Sequence, residues 1–315
     1  MATIENSTKP LALNTKSLPN LGYGIGLRPD HIPQLLQLRP QQLYEGQTSP
    51  DWLEIISENY LDDHGLARHQ LHQLRTNFPL VFHGVSLSIG SNDPLNFKYL
   101  MKLRQLADEF EPAWISDHLC WTGVGGINSH DLLPIPLNQQ NLAHVIARVQ
   151  QAQDFLARPL LLENPSSYMH FKESEMTEWE FLNTLCEVSG AGILLDLNNI
   201  YVSAFNLGFE ASHYLRGIQK HHVKQVHLAG PRHCGTHIID THDSPVVDEV
   251  WGLYRELLME TGEMTTLLEW DAQIPPLKDT LNELNKARGI AQERLLQTGD
   301  THFQLSACQP KQASQ

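Results

Sequence analysis

The sequence is poor in cysteine and in basic residues, and it lacks any long apolar run. Its four cysteines, Cys120, Cys186, Cys234 and Cys308, are widely spaced and form no CxxC pair. That spacing argues against a disulfide framework, and the thiols read as reduced. Twenty-two Lys and Arg stand against 36 Asp and Glu, a formal charge of −14. Such a balance argues against a general nucleic acid binder, which needs clustered basic side chains on the phosphate backbone. It does not argue against bound cations, which reverse the local sign. No stretch approaches the roughly 20 apolar residues that span a bilayer. The N-terminal "MATIENSTKPLALNTKSLPN" has neither the basic start nor the continuous apolar run of a signal peptide. The expectation is a cytoplasmic protein with no nucleic acid or membrane partner.

Histidine, by contrast, is plentiful at 17, and hydrophobic residues make up 41% of 315. That content and length suit one large α/β barrel domain. Eight short apolar runs recur, starting near Tyr23, Trp52, Leu80, Trp114, Leu160, Ile193, Val223 and Thr266. Segments with helical spacing, such as "NFKYLMKLRQLADEF" and "NLAHVIARVQQAQDFLA", lie between them. Strand alternating with helix implies a parallel sheet covered on both faces, and eight such units point to a closed (β/α)₈ barrel. A doubly wound open sheet is the alternative, but no GxGxxG follows the first run. Residues 1–20 and 301–315 are polar and read as flexible tails around a barrel domain at 21–300.

In such a barrel the chemistry lies where the strands end. The run ends carry Glu58, His83, Asp117 and His118, Glu163 and Asn164, Asp196 with Asn198 and Asn199, His227, and Glu269 with Asp271. One such residue alone says little, since many cap helices. Glu163 and Glu269, however, stand in otherwise apolar strands, where an unpaired carboxylate is costly to bury. A set of mutually repelling carboxylates is most simply neutralised by metal. After the seventh run comes "THIIDTHDSP", residues 236–245. In extended chain Asp240 and His242 share a face and suit one cation. The other reading of this stretch is a polar turn in which Asp243 or Ser244 caps a helix before Pro245.

The strings "YGIGLRP", "LEIISENY", "FHGVSLSIG", "ISDHLCW", "LLENPSSY", "LLDLNNIYVSAFNLG", "VHLAG", "DTHDSPV" and "LLEWD" run from about Leu21 to Pro275. Together they resemble the multinuclear non-haem iron-dependent oxidases, formerly DUF692, a branch of the endonuclease IV and xylose isomerase-like TIM barrels. Members, including those of methanobactin and bufferin biosynthesis, bind two or three irons. With dioxygen as co-substrate they modify cysteines of ribosomally made precursor peptides, commonly with a small partner protein that presents the precursor. The resemblance implies that Glu163 bridges two metals, with His83 and Asp117 completing one site and Asp196, His227 and Glu269 the other. Asn199, Asp240 and His242 would hold a third. Whether Asp117 or its neighbour His118 is the ligand stays open, and Asp117, His118 and Glu163 are the catalytic candidates. Leu207 stands where many relatives would carry His, and "VHLAG" runs on to Pro231 and Arg232 before His233.

Glu58, Asn59, Trp121, Asn164 and Tyr201 are expected to contact substrate, and Tyr60 and Tyr168 are further candidates for the pocket. The Gly-rich "CWTGVGGINSHDLLPIP" reads as a wall or lid, or as a structural loop. Mixed His, carboxylate and amide ligands suit iron, manganese or zinc. The alternative activity is therefore a zinc or manganese hydrolase or isomerase of the same barrel type. Scattered Arg28, Arg68, Lys172 and Arg232 make a phosphate-tracking surface unattractive.

Overall fold

A computed structural model describes Thr15 and residues 18–38, 49–62 and 64–298. Its strands are β1 (Tyr23–Gly26), β2 (Trp52–Ile56), β3 (Leu80–His83), β4 (Ile115–His118), β5 (Trp121–Val124) and β6 (Ile127–Leu133). There follow β7 (Leu160–Glu163), β8 (Gly192–Asp196), β9 (Val223–Leu228), β10 (Gly230–His233), β11 (Ile238–Ser244) and β12 (Thr266–Leu268). Eight of them close in the order β1-β12-β9-β8-β7-β4-β3-β2, all parallel, with Gly24 facing Trp52 at the β1–β2 seam. The eight barrel strands coincide with the eight apolar runs. The closure rules out the open doubly wound sheet.

The strands read as continuous apolar runs because both faces are covered. Outward residues pack under the surrounding helices. The helix Phe97–Phe110, for example, buries Leu100, Leu103, Leu106, Ala107 and Phe110, and Asn96 caps it by accepting from Tyr99 N. Inward residues form a separate cluster of Trp52, Val81, Trp114, Leu161, Leu194 and Leu267. Trp114, just before β4, donates through Nε1 to Gln225 Oε1 of β9 at 2.6 Å, and β4 and β9 are not neighbours in the sheet. Gly24 leaves room for this plug: a Cβ there would come within 2.4 Å of the Trp52 ring. The lower half of the barrel is thus filled with apolar side chains.

Two β-hairpins rise from the upper rim. β5 and β6 turn through Gly125 and Gly126, with φ of 62° and 77°, the left-handed pair a two-residue hairpin requires. The Gly-rich stretch after β4 is therefore a hairpin rather than an irregular loop. β10 pairs with β11, so "THIIDTHDSP" is strand and not a capping turn. The next helix, Asp248–Thr261, starts after Val247 with no side-chain cap. Of the stretch read as an N-terminal tail, Leu18–Asn20 lies on the barrel, where Asn20 Nδ2 donates to the Glu263 carbonyl at 3.1 Å. The tail at 301–315 falls outside the described residues. Cys120 and Cys186 are buried and free, and Cys234 is exposed and free. Among the described residues no helix is long and apolar enough to cross a membrane.

Candidate metal centre

Strand parity builds the site. Two residues above Val81, Leu161, Leu194 and Leu267 stand His83, Glu163, Asp196 and Glu269, on the same inward face. His227 stands two above Gln225, and His118 stands four above Trp114, so both also point inward. The apolar plug therefore ends in a ring of imidazoles and carboxylates, and all of them are buried.

Glu163 lies at the centre. Its Oε2 is 3.3 Å from His83 Nε2 and 3.3 Å from His118 Nε2. Its Oε1 looks the other way, 3.8 Å from His227 Nδ1, which lies 2.9 Å from Glu269 Oε2 and 3.9 Å from Asp196 Oδ2. One carboxylate thus serves two groups, His83–His118–Glu163 and Glu163–Asp196–His227–Glu269. Two ligands about 2.1 Å from one ion and at right angles to each other lie about 3 Å apart. The separations here bracket that spacing.

The tautomers are set from behind. His118 Nδ1 faces the Gly84 carbonyl at 3.1 Å and can only donate to it. His83 Nδ1 meets Ser116 Oγ at 2.8 Å, while that hydroxyl donates to the Phe82 carbonyl. Both Nε2 atoms are left as lone pairs aimed at Glu163. His227 is turned the opposite way: its Nε2 is 3.1 Å from Glu54 Oε1, at the foot of the pocket. Gln225 Nε2 lies 2.8 Å from the same nitrogen but donates to Glu54 Oε2 at 2.6 Å. That leaves His227 Nδ1 for the cluster.

A third group lies at the rim. His242 Nδ1 is 3.2 Å from Glu269 Oε2 and 3.2 Å from Asp271 Oδ2, and its Nε2 is 2.6 Å from Asp240 Oδ1. Asp240 and His242 do converge, but not as a regular strand: His242 has φ of 47°, left-handed for a non-glycine residue. Asn199 turns its amide nitrogen to Glu163 Oε1 at 3.3 Å and to the Asn164 carbonyl at 3.0 Å.

Glu163 Oε2, Asp196 Oδ2 and Asn199 Oδ1 are buried here without a hydrogen-bond partner, and His227 Nδ1 and His242 Nε2 are buried facing carboxylate oxygens. Buried polar groups are normally satisfied, so their convergence fits a cation. Electrostatics agrees. Burial holds His83 well below the usual imidazole range and His118 at about 4, so both are neutral donors. Burial, helped by neighbouring carboxylates, lifts Glu163 well above the ordinary range and Asp196 to about 7. For His227 and His242 burial opposes protonation, but Glu54, Glu269 and Asp240 outweigh it and raise both pKa values. Burial would raise Glu269, yet the two imidazoliums hold it well below its usual value. Metal-free, the cluster balances its charge with protons that a cation can replace.

The structure separates the two candidates of β4. Asp117 has the outward parity, and its oxygens accept from the backbone N–H groups of His118 at 2.7 Å and Leu87 at 3.1 Å. It lies outside the three ligand groups, and His118 is the residue brought to Glu163. The expected substrate contacts are also elsewhere. Glu58 accepts from Val85 N and Tyr99 Oη, Asn59 is exposed, and Trp121 Nε1 donates to the Pro134 carbonyl. Asn164 bridges to the Asp196 backbone, and Tyr201 packs beside His233 on a hairpin. None lines the pocket over the cluster, a space of about 240 Å³. Its walls include Asp131, Leu132, Ser166, Tyr168, Thr241 and Asp271. Sequence reading passed over Glu54, because a polar residue in an apolar strand gives no sign of which face it occupies.

The family described as RiPP precursor modification enzyme MbnB/TglH/ChrH matches residues 22–292. The chain belongs to this family. Members of the family modify ribosomally made precursor peptides, which makes this chain a peptide-modifying enzyme by membership. Similar chains are UPF0276 proteins from Rhizorhabdus wittichii (46% identical, covering 85% of this chain and 94% of the relative) and Vibrio vulnificus (40%, covering 93% and 99%). The fold is similar to endonuclease IV from Thermus thermophilus, with a TM-score of 0.55 at 16% identity, covering 86% of this chain and 99% of that one. It is also similar to D-psicose 3-epimerase from Clostridium cellulolyticum, with a TM-score of 0.55 at 11% identity, covering 87% and 99%. At such identities these last two speak for the xylose isomerase-like barrel alone. Leu207 lines an apolar cavity rather than the metal pocket.

Proposed function

We propose that this enzyme holds two or three iron ions and uses dioxygen to oxidise cysteine residues of a ribosomally made precursor peptide, which a small partner protein presents. The observation that carries the reading is Glu163, whose two oxygens face separate imidazole–carboxylate groups. His83, His118 and Glu163 would hold one ion, and Glu163, Asp196, His227 and Glu269 the second. Asp240 and His242, with Glu269, Asp271 or Asn199, would hold a third. Such nitrogen and oxygen donors suit iron, and among the described residues no thiolate belongs to these ligand groups. Iron bound there supplies redox capacity and a position that a substrate thiol can take as thiolate.

The protein's own contribution is orientation and enclosure. Gly84, Ser116 and Glu54 fix the three inner imidazoles, and Asp131, Leu132, Ser166 and Tyr168 wall the space above them. No Lys or Arg lines that space among the described residues. Apart from the bound cations themselves, a nucleic acid would find no basic side chain in that lining to track its backbone, which disfavours its hydrolysis.

The test is elemental analysis of protein purified anaerobically without chelator, followed by weighing of the peptide after incubation with and without dioxygen. At least two irons per chain and a dioxygen-dependent mass change are expected, the change vanishing when every peptide Cys is replaced by Ser. Stoichiometric zinc alone in fully active protein would overturn the iron reading.

A further inference from the structure

A second cavity, of about 360 Å³, lies beside the metal pocket. Its walls include Leu119, Ile135, Leu137, Met176, Trp179 and Leu207. The two spaces share one partition. Pro165 lines both, Ser166 and Tyr168 line the metal pocket, and Ser167 and Met169 line the cavity. At the end of β6 the same division recurs: Asp131 and Leu132, within the strand, face the metal pocket, and Pro134 and Ile135, just after it, the cavity.

The partition is held in place and tied to the metal cluster. Ser166 Oγ donates to Asp240 Oδ2 at 3.1 Å, the Asp240 N–H donates to Tyr168 Oη at 3.0 Å, and the Ser167 N–H donates to Ser203 Oγ at 2.9 Å. Its crest is apolar and accessible, with Tyr168 47% and Met169 57% exposed. A chain lying across that crest would set neighbouring residues on either side of it.

We infer that this cavity receives an uncharged hydrophobic side chain of the peptide substrate, from a residue close to the one that reacts at the metal pocket. The inference rests on the peptide reading above and deepens it. Size supports it: a cavity of about 150 Å³ is enough to hold benzene, and this one has more than twice that volume. An indole or a pair of aliphatic side chains fits. Chemistry narrows the class. The acidic group among the lining residues, Glu178, accepts from Tyr214 Oη at 2.6 Å, and an acidic side chain would face both that carboxyl and apolar walls. Burial lifts Glu178 to about 7, so it is not a dependable counter-ion for a lysine at neutral pH either.

The experiment uses the metal-loaded full chain under anaerobic conditions, with two probes followed by calorimetry. Indole should bind the wild type and lose at least tenfold in affinity in Leu207→Trp, which fills the cavity, but not in Leu207→Ala. Leu137→Trp repeats the filling from another wall, and metal content checks that each variant is folded. Capped Cys-Xaa dipeptides should bind at least roughly tenfold better with Leu or Phe than with Ser, Glu or Lys, and Leu207→Trp should abolish that preference. No indole binding, equal affinities across the series, or a preference for Lys would each overturn the inference. The Ser-Leu dipeptide separates the two proposals. If it binds as well as Cys-Leu, the thiol reading fails while the cavity assignment stands.

Discussion

His227 meets two carboxylates with opposite sides of one ring: Nε2 is 3.1 Å from Glu54 Oε1, and Nδ1 is 2.9 Å from Glu269 Oε2. A carboxylate behind a ligating imidazole keeps the proton on the far nitrogen and makes the near one more basic. Gln225, itself oriented by Trp114, holds Glu54 in that position. Glu54→Gln would put an amide N–H opposite Nε2 and favour the tautomer with Nδ1 protonated, the wrong one for ligation. We expect a 10–100-fold loss of affinity for one ion. A shift in the reduction potential of the loaded protein should accompany it. Unchanged affinity and potential in a folded variant would show that Glu54 only fills space.

Glu163 belongs to both inner groups, whereas Asp240 lies at the rim, where His242 is the candidate ligand it reaches. Glu163→Gln should therefore remove metal from two sites and Asp240→Asn from one at most. Elemental analysis of the two variants, prepared side by side, decides this. Equal metal loss would argue against a bridging carboxylate.

The two neighbours on β4 should separate cleanly. His118→Ala is expected to lose about one ion per chain with the barrel intact. Asp117→Asn should keep its metals but lose stability, since an amide cannot accept from both the His118 and the Leu87 N–H groups. Leaving one buried donor unpaired costs about 1–3 kcal/mol. Urea unfolding with parallel metal counts distinguishes the two outcomes, and metal loss in Asp117→Asn would restore it as a ligand candidate.

That pair also shows where sequence reading stops. The eight strands were legible because a strand buried on both faces is a short apolar run, and each barrel strand here is one. The same double burial hides which face is inward, so "SDH" offers two candidates with no pattern to choose between them. The choice comes from Trp114, whose contact with Gln225 across the barrel fixes the parity of β4. Glu54 was hidden for a related reason: its partners Gln225 and His227 lie 171 and 173 residues away. The clustering at strand ends was visible because it needs only the order of the elements. Trp121 and Tyr201 show the converse. Both follow strand ends in sequence, yet one packs on Pro134 and the other on a hairpin that the strand pattern did not reveal.

Metal binding should also depend on pH in a direction the cluster fixes. His118, held at about 4, and His83, held well below its usual range, are already neutral near pH 7 and contribute no protons. Asp196, at about 7, together with the raised Glu163, His227 and His242, carries protons that an ion must displace. Affinity should therefore fall as pH drops through neutrality, by about tenfold per unit for each proton released. The stability of the metal-free protein should run the other way. A carboxyl or imidazole raised in the folded state binds more protons there than in the unfolded chain, so stability is lost as pH rises. Below about 6.5 the depressed His83 and His118 work in the opposite sense, so the clean window lies above that value. Between pH 6.5 and 8 the gain in melting temperature on adding ferrous ion under anaerobic conditions should grow steadily. Proton release during the same titration, read in weak buffer, gives an independent count, and a metal affinity flat across that window would contradict the charge balance described for the cluster.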